Sequence, residues 1–489
     1  MSAARVEWLN SNFWRTDLES VDPAERRIAR YTLQILEECP EVRSKFRDRE
    51  FLHSAWLLLH PVVNLADVRE CLVSWPGRSE SESKVDDAGM ASRSRLADEL
   101  LADGAKSIAD RILSMDTEAV RIQTVLRARF GQPRDRIVAS LARLDPEGLI
   151  HPSLDLLAKE LRLEPFERCL LDIAGLARQV RAFGKFLSGC GARGDVERAA
   201  VLAACCGAPT SVLSRWLVRG GVLVRFQLVK SPSSSRDLEH VLSPTDLLRE
   251  IMASEPSTVS ELLAIMIEPV GASECTLVDF PHLAKDARAV STTLHAAATS
   301  RAKGVNALLY GPPGTGKTQF ALAIAAATGL RTFRVSSADA DGDGLDKDGR
   351  LGAFRLAQQM LSGATDCLLV FDEVEDVFGS HGDVLSALLG LDHTPYTEKG
   401  WMNRTLEENA VPTIWITNRA SDMDPAFLRR FLLSVAFSTP PRNVRRAVVQ
   451  RYLGSALLPD EALGDIADDE LLTPAQLAAA GRLLSLQPD

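Results

Sequence analysis

The chain has 489 residues, of which 46% are hydrophobic and 25% are charged, and its formal net charge is −10. This length is enough for about three domains, and the composition is that of an ordinary globular protein. The acidic balance excludes a surface that coats nucleic acid throughout, although a local basic patch is compatible with it.

Cysteine usage and hydropathy exclude two further classes. The eight cysteines form no CxxC pair, so we expect neither a zinc knuckle nor a disulfide framework. No apolar run approaches the length of a membrane span, which is about 18 residues, and the first residues carry no signal-peptide pattern. The sequence therefore predicts a cytoplasmic protein with reduced thiols and no membrane association.

The first 190 residues are predicted to be helical. Apolar residues recur on one helical face over residues 28–39, and residues 51–63 are apolar almost throughout, as in a buried helix. Residues 76–93 are rich in Ser, Gly and charge, which is typical of a flexible linker. We therefore predict a helical domain over residues 1–75, a linker over 76–93 and a helical scaffold over 94–190.

Residues 191–255 are predicted to form a winged-helix-like module. Helices over 197–206 and 210–218 are separated by a turn and followed by a β-like run over 222–229 and a Ser-rich tip. In a DNA reader the second helix enters the major groove. The residues in and just after it are Ser211, Ser214, Arg215, Trp216 and Arg219. Two arginines are too few for strong phosphate affinity, so a packing or protein-interaction module is favoured over DNA reading.

A glycine loop lies between an apolar run and a helical run in residues 306–318, NALLYGPPGTGKT. Glycines let the backbone N–H groups point inward around a phosphate, and the helix N-terminus adds positive potential. At this spacing the lysine reaches the β- and γ-phosphates and the threonine hydroxyl binds Mg²⁺. An ordinary Gly/Pro turn is the alternative. The predicted nucleotide-binding residues are Gly311, Pro312, Pro313, Gly314, Thr315, Gly316, Lys317, Thr318 and Gln319.

Strand-like runs alternate with helical runs from residue 277 onwards. The candidate strands cover residues 307–310, 332–335, 368–371, 413–417 and 433–437. The first four are separated by segments long enough for crossover helices, which predicts an α/β domain with a parallel sheet covered on both faces.

Two acids end the third of these strands, in LLVFDE. A parallel sheet places its ligand chemistry at the carboxyl ends of its strands. We expect Asp372 to hold Mg²⁺ through water and Glu373 to polarise the water that attacks the γ-phosphate. The alternative, a salt-bridged surface pair, fits poorly after four buried-type residues. Glu375 and Asp376 follow, and we expect them to be solvated or capping residues.

Polar side chains also follow the next strand. Asn418 comes directly after TIWIT, where its carboxamide could orient the same water. Arg429 and Arg430 close a short helix in DMDPAFLRRF. Such arginines can neutralise charge on a neighbouring subunit's γ-phosphate, although alone they would be read as ordinary C-terminal helix charges.

These motifs, in this order, resemble the AAA family of the AAA+ superfamily of P-loop ATPases, over about residues 277–489. The resemblance implies a five-stranded sheet in a large domain over residues 256–439, a helical lid over 440–489, ATP with Mg²⁺, and a homo-oligomeric ring that is usually a hexamer. It also implies roles for individual residues: Walker A for Lys317 and Thr318, Walker B for Asp372 and Glu373, first sensor for Asn418, arginine finger for Arg429 or Arg430, and, more loosely, an adenine-pocket segment at Asp279 and Phe280.

Two departures from the family pattern qualify this resemblance. Ala475 stands where many members carry a second-sensor arginine, and the loop over 338–349 is acidic and Gly-rich and has no aromatic residue for gripping a polypeptide. The sequence predicts an ATP-hydrolysing ring that remodels an unidentified protein substrate or adaptor recruited by the N-terminal region. The alternative is an ATP-dependent switch or scaffold on DNA, with nucleic acid the less favoured partner.

Overall fold

A computed structural model describes residues 13–74, 94, 97, 104–131, 134–191, 194–230, 238–271, 273–337, 345–375, 403–454 and 459–486. The chain forms two compact units, Met1–Glu255 and Pro256–Asp489. The predicted linker over 76–93 lies outside the described residues, and the finer division of the chain into six parts stays a prediction.

The first unit is built from helices, as the sequence predicts. Its longest helix, α1, begins at Pro23 because the Asp22 carboxylate accepts hydrogen bonds from the N–H groups of Ala24 and Glu25. The helices are α1 Pro23–Glu38, α2 Pro40–Arg43, α3 Arg49–Leu59, α4 Leu65–Ser74, α5 Ala105–Leu113, α6 Thr117–Phe130, α7 Asp135–Leu144, α8 Pro152–Glu160, α9 Pro165–Gln179, α10 Arg181–Gly189, α11 Asp195–Cys206, α12 Thr210–Arg219, α13 Gly221–Arg225, α14 Leu238–Val241 and α15 Asp246–Ser254.

A buried polar cluster joins α1 to α9 within this unit. The carboxylate of Asp172, only 1% exposed, accepts from Arg27 Nη1 and from the Tyr31 hydroxyl, each at 3.0 Å. Its other oxygen accepts the backbone N–H of Ile150 at 3.0 Å. A buried carboxylate requires such partners, so the cluster fixes how the two helices pack.

The predicted β-like run over 222–229 is wrong in its first half. Gly221–Arg225 is the short helix α13, because the Glu167 carboxylate accepts the N–H of Val222 at 2.6 Å and so caps the helix start. Strand pairing is limited, in the described part of this region, to one bridge between Val229 and Pro244. The Ser-rich tip over 231–235 lies outside the described residues.

The helix-turn-helix part of the prediction matches α11 and α12, which are joined at Gly207 in a left-handed conformation. Trp216 of α12 is only 3% exposed, so it packs inside the unit and is not available to read a partner. Arg215 and Arg219 are exposed. The winged-helix assignment therefore lacks a formed wing among the described residues.

The second unit contains a six-stranded mixed sheet. Its strands are β1 Ile267–Pro269, β2 Asn306–Tyr310, β3 Arg331–Val335, β4 Cys367–Phe371, β5 Thr413–Thr417 and β6 Leu433–Ala436, in the order β1-β3-β4-β5-β2-β6. The five predicted strands are confirmed and run parallel. The sequence missed β1, which pairs antiparallel with β3 at the sheet edge and has only one buried residue.

Helices cover the sheet and form a small C-terminal subdomain. They are α16 Val259–Met266, α17 Ala284–Ser300, α18 Lys317–Thr328, α19 Lys347–Met360, α20 Pro425–Leu428, α21 Arg442–Leu453, α22 Asp460–Asp468 and α23 Pro474–Leu486. The last three, the lid, share an apolar core around Val449, Leu453 and Leu463. The α/β fold with a helical lid is therefore confirmed.

The predictions about cysteines and membrane spans can also be compared with the structure. All eight cysteines are free thiols, as predicted. Within the described residues, no single helix is both long and apolar enough to cross a membrane. The pair Asp195–Cys206 and Thr210–Arg225 reaches that length and composition only when taken together, with a bend of 119°.

Candidate nucleotide-binding site

The predicted site residues follow three strands that are neighbours in the sheet. The glycine loop follows β2, Asp372 follows β4, and Asn418 follows β5, which lies between the other two. Because the three strands are parallel, their carboxyl ends meet at one edge of the sheet. The topology thus brings together groups that are more than 100 residues apart in sequence.

The loop between β2 and α18 depends on glycine at two points. At Gly311 φ is +143°, and a Cβ there would lie 2.1 Å from the carbonyl oxygen of Phe437. Gly316 has φ of +95° at the residue before α18. The hydroxyl of Thr315 donates to the Pro312 carbonyl at 2.8 Å and closes the turn. No residue with a Cβ could replace Gly311 without moving β6.

Lys317 is folded into this loop. Its side chain is buried, and Nζ donates to the carbonyl oxygens of Gly311 at 2.8 Å and Pro312 at 2.7 Å. Burial lowers the pKa of Lys317, and the nearby Asp372 and Glu375 carboxylates partly oppose that shift. A desolvated ammonium among backbone dipoles is a site prepared for anionic oxygens.

Thr318 and Asp372 form the predicted hard-oxygen pair. The Thr318 hydroxyl donates to Asp372 Oδ2 at 2.9 Å, and Asp372 Oδ1 accepts the N–H of Glu373 at 2.9 Å. A hydroxyl and a carboxylate at this separation are ligands that Mg²⁺ takes directly or through water. These residues fit the predicted metal, with Lys317 beside them for the phosphates.

Glu373 has an unusual backbone conformation. Its φ is +55°, in the left-handed region that non-glycine residues seldom occupy, and its side chain is exposed. Glu373 directly follows Asp372 after β4, at the same edge of the sheet as the glycine loop. Such strain persists only where the surroundings impose it.

Arg350 imposes that conformation and was missed by the sequence analysis. This residue of α19 is 5% exposed, and its guanidinium donates to the carbonyl oxygens of Asp372 at 2.5 Å and Glu373 at 3.0 Å. The same group lies 4.9 Å from the centre of the Phe371 ring. The sequence did carry one indication that Arg350 is buried. It precedes Phe354 by one helical turn, so both residues lie on the apolar face of α19.

Glu375 was expected to be solvated or to cap a helix, and that expectation is wrong. Its side chain is partly buried, and Oε1 accepts hydrogen bonds from the backbone N–H of Asn418 at 3.2 Å and from its Nδ2 at 2.7 Å. Asn418 is therefore at the predicted edge of the sheet, with its amide held by a neighbouring acid. Asp376 lies outside the described residues.

The two arginines after β5 differ in their contacts. Arg430 Nε donates to Glu407 Oε1 at 2.7 Å, and its guanidinium also donates to the Ala426 carbonyl. Arg429 is exposed, and within the described residues its side chain has no hydrogen bond or ion pair. The contacts that the structure gives these side chains are not with the glycine loop of their own chain.

The lid and the segment before α17 border the glycine loop. The Phe280 ring packs edge-on against Phe320 of α18, with 5.2 Å between ring centroids. Asp279 forms an ion pair with Arg451 of the lid at 3.1 Å. At the start of α23 the N–H of Ala475 donates to the Gly314 carbonyl at 3.3 Å, so the lid contacts the loop here through an uncharged residue.

Parallel strands that carry this loop after β2 and two acids after β4 define a P-loop nucleotide-binding domain. Residues 307–439 match the model of the "ATPase family associated with various cellular activities (AAA)". The matched region contains the glycine loop, both acids, Asn418 and the two arginines. This match indicates an AAA-type ATPase domain over residues 307–439.

Three relatives match this part of the chain. A 26S proteasome regulatory subunit homologue of Methanocaldococcus jannaschii is 29% identical over 32% of this chain and 42% of its own length. The ATP-dependent zinc metalloprotease FtsH of Mycobacterium tuberculosis is 33% identical over 36% of this chain and 23% of its own length. An "AAA ATPase forming ring-shaped complexes" of Corynebacterium efficiens is 29% identical over 35% of each. The chain thus spans less than half the length of each of these relatives.

Proposed function

We propose that this protein is a cytoplasmic, ring-forming AAA ATPase that hydrolyses ATP with Mg²⁺ to remodel a protein partner recruited by the first unit. The observation that carries the proposal is the hydrogen bond of 2.9 Å between Thr318 and Asp372 beside the buried Lys317. This arrangement supplies a cation for phosphate oxygens and two hard oxygens for the metal within one pocket.

The chain's own groups divide the work of hydrolysis. Lys317 would exchange the Gly311 and Pro312 carbonyls for phosphate oxygens, and Thr318 and Asp372 would hold Mg²⁺. When bound, the metal would supply charge neutralisation to the phosphates. Glu373 accepts a proton from the attacking water, and Asn418 orients that water. The left-handed turn at Glu373 sets where its carboxylate can reach.

Ring assembly is supported by two observations. Arg429 is exposed and Arg430 is partly exposed, and neither is held against its own glycine loop. An arginine in this position completes the charge neutralisation when it reaches a neighbour's γ-phosphate. The Corynebacterium relative is described as forming ring-shaped complexes, and we extend that property to this chain.

A protein partner is favoured over DNA. Apolar side chains are exposed around the α5–α6 turn of the first unit, where Met115 is 78% exposed, Val120 53% and Leu113 47%. Apolar exposure of this kind is typical of protein contact surfaces. For DNA reading, in contrast, Trp216 is buried and the first half of the predicted wing strand is helical. These observations favour a protein over DNA as the partner of the first unit.

The Glu373→Gln variant tests the proposal. It should bind ATP, turn over at least about 100-fold more slowly than the wild type because the proton acceptor is lost, and accumulate as the assembled, nucleotide-bound form. Calorimetric titration with ATP measures binding, a phosphate-release assay measures turnover, and mass photometry with ATP measures assembly. Mass spectrometry of the proteins captured by this trap then identifies the partner. Glu268→Ala, on the exposed edge of β1, is the matched control. Wild-type turnover in Glu373→Gln would refute the assigned base.

A further inference from the structure

We infer that Glu375 is a positioning residue for hydrolysis, which turns the Asn418 amide so that its oxygen faces the attacking water. The inference rests on the proposed ATPase function and adds a third acid to the site. The observation behind it is the double hydrogen bond from Asn418 to one carboxylate oxygen of Glu375.

The backbone brings the two residues together. The N–H of Val374 donates to the Ile416 carbonyl at 3.1 Å, so the chain leaving β4 is fastened to β5 one residue before Glu375. Asn418 follows the last residue of β5. Glu375 Oε1 then accepts both the backbone N–H and Nδ2 of Asn418, which fixes the position of the residue and the rotation of its side chain.

The chemistry of the pair decides which way the amide faces. A carboxylate oxygen can only accept a hydrogen bond, so Asn418 must turn its NH₂ group towards Glu375. Its Oδ1 is then directed away from Glu375 and can accept a hydrogen bond from a water molecule. Without Glu375 the amide could rotate by a half turn and present a donor where the water needs an acceptor.

The location of Glu375 places it inside the site. Its partner Asn418 follows β5, the strand between those that carry Asp372 and the glycine loop, so Glu375 lies at the same edge of the sheet. Its second oxygen, Oε2, is buried and has no hydrogen-bond partner among the described residues. A buried acceptor without a partner is retained where water or a ligand satisfies it.

A positioning role predicts a specific pattern among variants. Glu375→Ala should lower kcat by about 10- to 100-fold, the effect of misplacing a catalytic group by about an ångström, with the KM for ATP nearly unchanged. Glu375→Gln keeps an accepting oxygen and the side-chain volume, so it should retain kcat to within about fivefold of the wild type. If Glu375 were instead the general base, both variants would lower kcat to a similar extent.

The decisive measurement is a double-mutant cycle with Asn418→Ala on the full-length protein, with Mg-ATP turnover as the readout and Glu268→Ala as control. Once Asn418 is gone, neither Glu375→Ala nor Glu375→Gln should lower kcat further. The positioning role would be overturned if the losses of kcat from Glu375→Ala and Asn418→Ala multiply in the double variant. It would also be overturned if Glu375→Gln is as slow as Glu375→Ala. If Glu375→Ala does not fold, Glu375→Leu, which keeps most of the volume but has no accepting oxygen, takes its place in the cycle with the same expected loss of kcat. Absence of turnover in the wild type would instead refute the proposed function itself.

Discussion

Replacing Arg350 by methionine tests how the two acids after β4 are held. Methionine keeps an unbranched apolar stem against Phe371 but removes the donors to the carbonyl oxygens of Asp372 and Glu373. Each hydrogen bond from a charged donor contributes about 1.5–3 kcal/mol, and part of this is offset because the buried guanidinium no longer has to be desolvated. We therefore expect the free energy of unfolding to fall by about 2–4 kcal/mol.

Catalysis should fall as well, because the left-handed backbone at Glu373 loses its anchor. That conformation is unfavourable by about 1–2 kcal/mol for a non-glycine residue, so the turn should relax once the guanidinium is gone. We expect kcat to drop at least about tenfold as the Glu373 carboxylate moves. Nucleotide affinity should change little, since Lys317 and Thr318 are untouched.

The assay is urea denaturation together with ATP turnover, with Arg288→Met as the control. Arg288 is an exposed residue of α17, and its loss should change the free energy of unfolding by less than about 0.5 kcal/mol. If Arg350→Met unfolds at the wild-type urea concentration and keeps the wild-type kcat, the anchoring role of Arg350 is refuted.

Three further predictions follow from the same pocket. Gly311→Ala should lower the free energy of unfolding by more than about 2 kcal/mol in urea denaturation, because its Cβ would overlap the Phe437 carbonyl. Gly363→Ala is the control, since a Cβ there meets no atom within 4 Å and should leave stability unchanged. Equal stabilities of the two variants would contradict the close packing at Gly311. Lys317→Met should have a higher free energy of unfolding than the nucleotide-free wild type at neutral pH, because burial lowers the pKa of Lys317. The difference between the two free energies should shrink as pH rises towards 10.5, where the lysine is neutral in the unfolded chain as well. A difference that grows with pH would contradict the prediction. Arg430→Ala should lose turnover yet regain it when mixed with Lys317→Met subunits, whereas no recovery would argue against action between subunits.

The sequence predicted the parts of the fold whose cause is local. Three of the parallel strands, β2, β4 and β5, were predicted because they are buried almost throughout and therefore appear as apolar runs, as in LLVF before Asp372. The glycine loop was equally readable because its backbone conformations admit little besides glycine. Strand β1 escaped notice because three residues at a sheet edge leave almost no pattern.

Contacts that depend on distant residues could not be predicted. The short helix α13 replaces a predicted strand because Glu167, more than 50 residues earlier, caps it. Arg350 and Glu375 both act through groups on other elements, the carbonyls after β4 and the amide after β5. Charged residues such as these are usually found on the surface. Only the packing of α19 against the sheet and the pairing of the chain after β4 with β5 assign them to the site.

Equilibrium binding of ATP in the presence of Mg²⁺, measured by isothermal titration calorimetry on the wild type and Lys317→Met, tests the central claim most directly. We expect one nucleotide per wild-type chain and at least about 100-fold weaker binding by the variant, since the buried ammonium is the part of the phosphate cradle that the substitution removes. Equal affinities for the two proteins would contradict it.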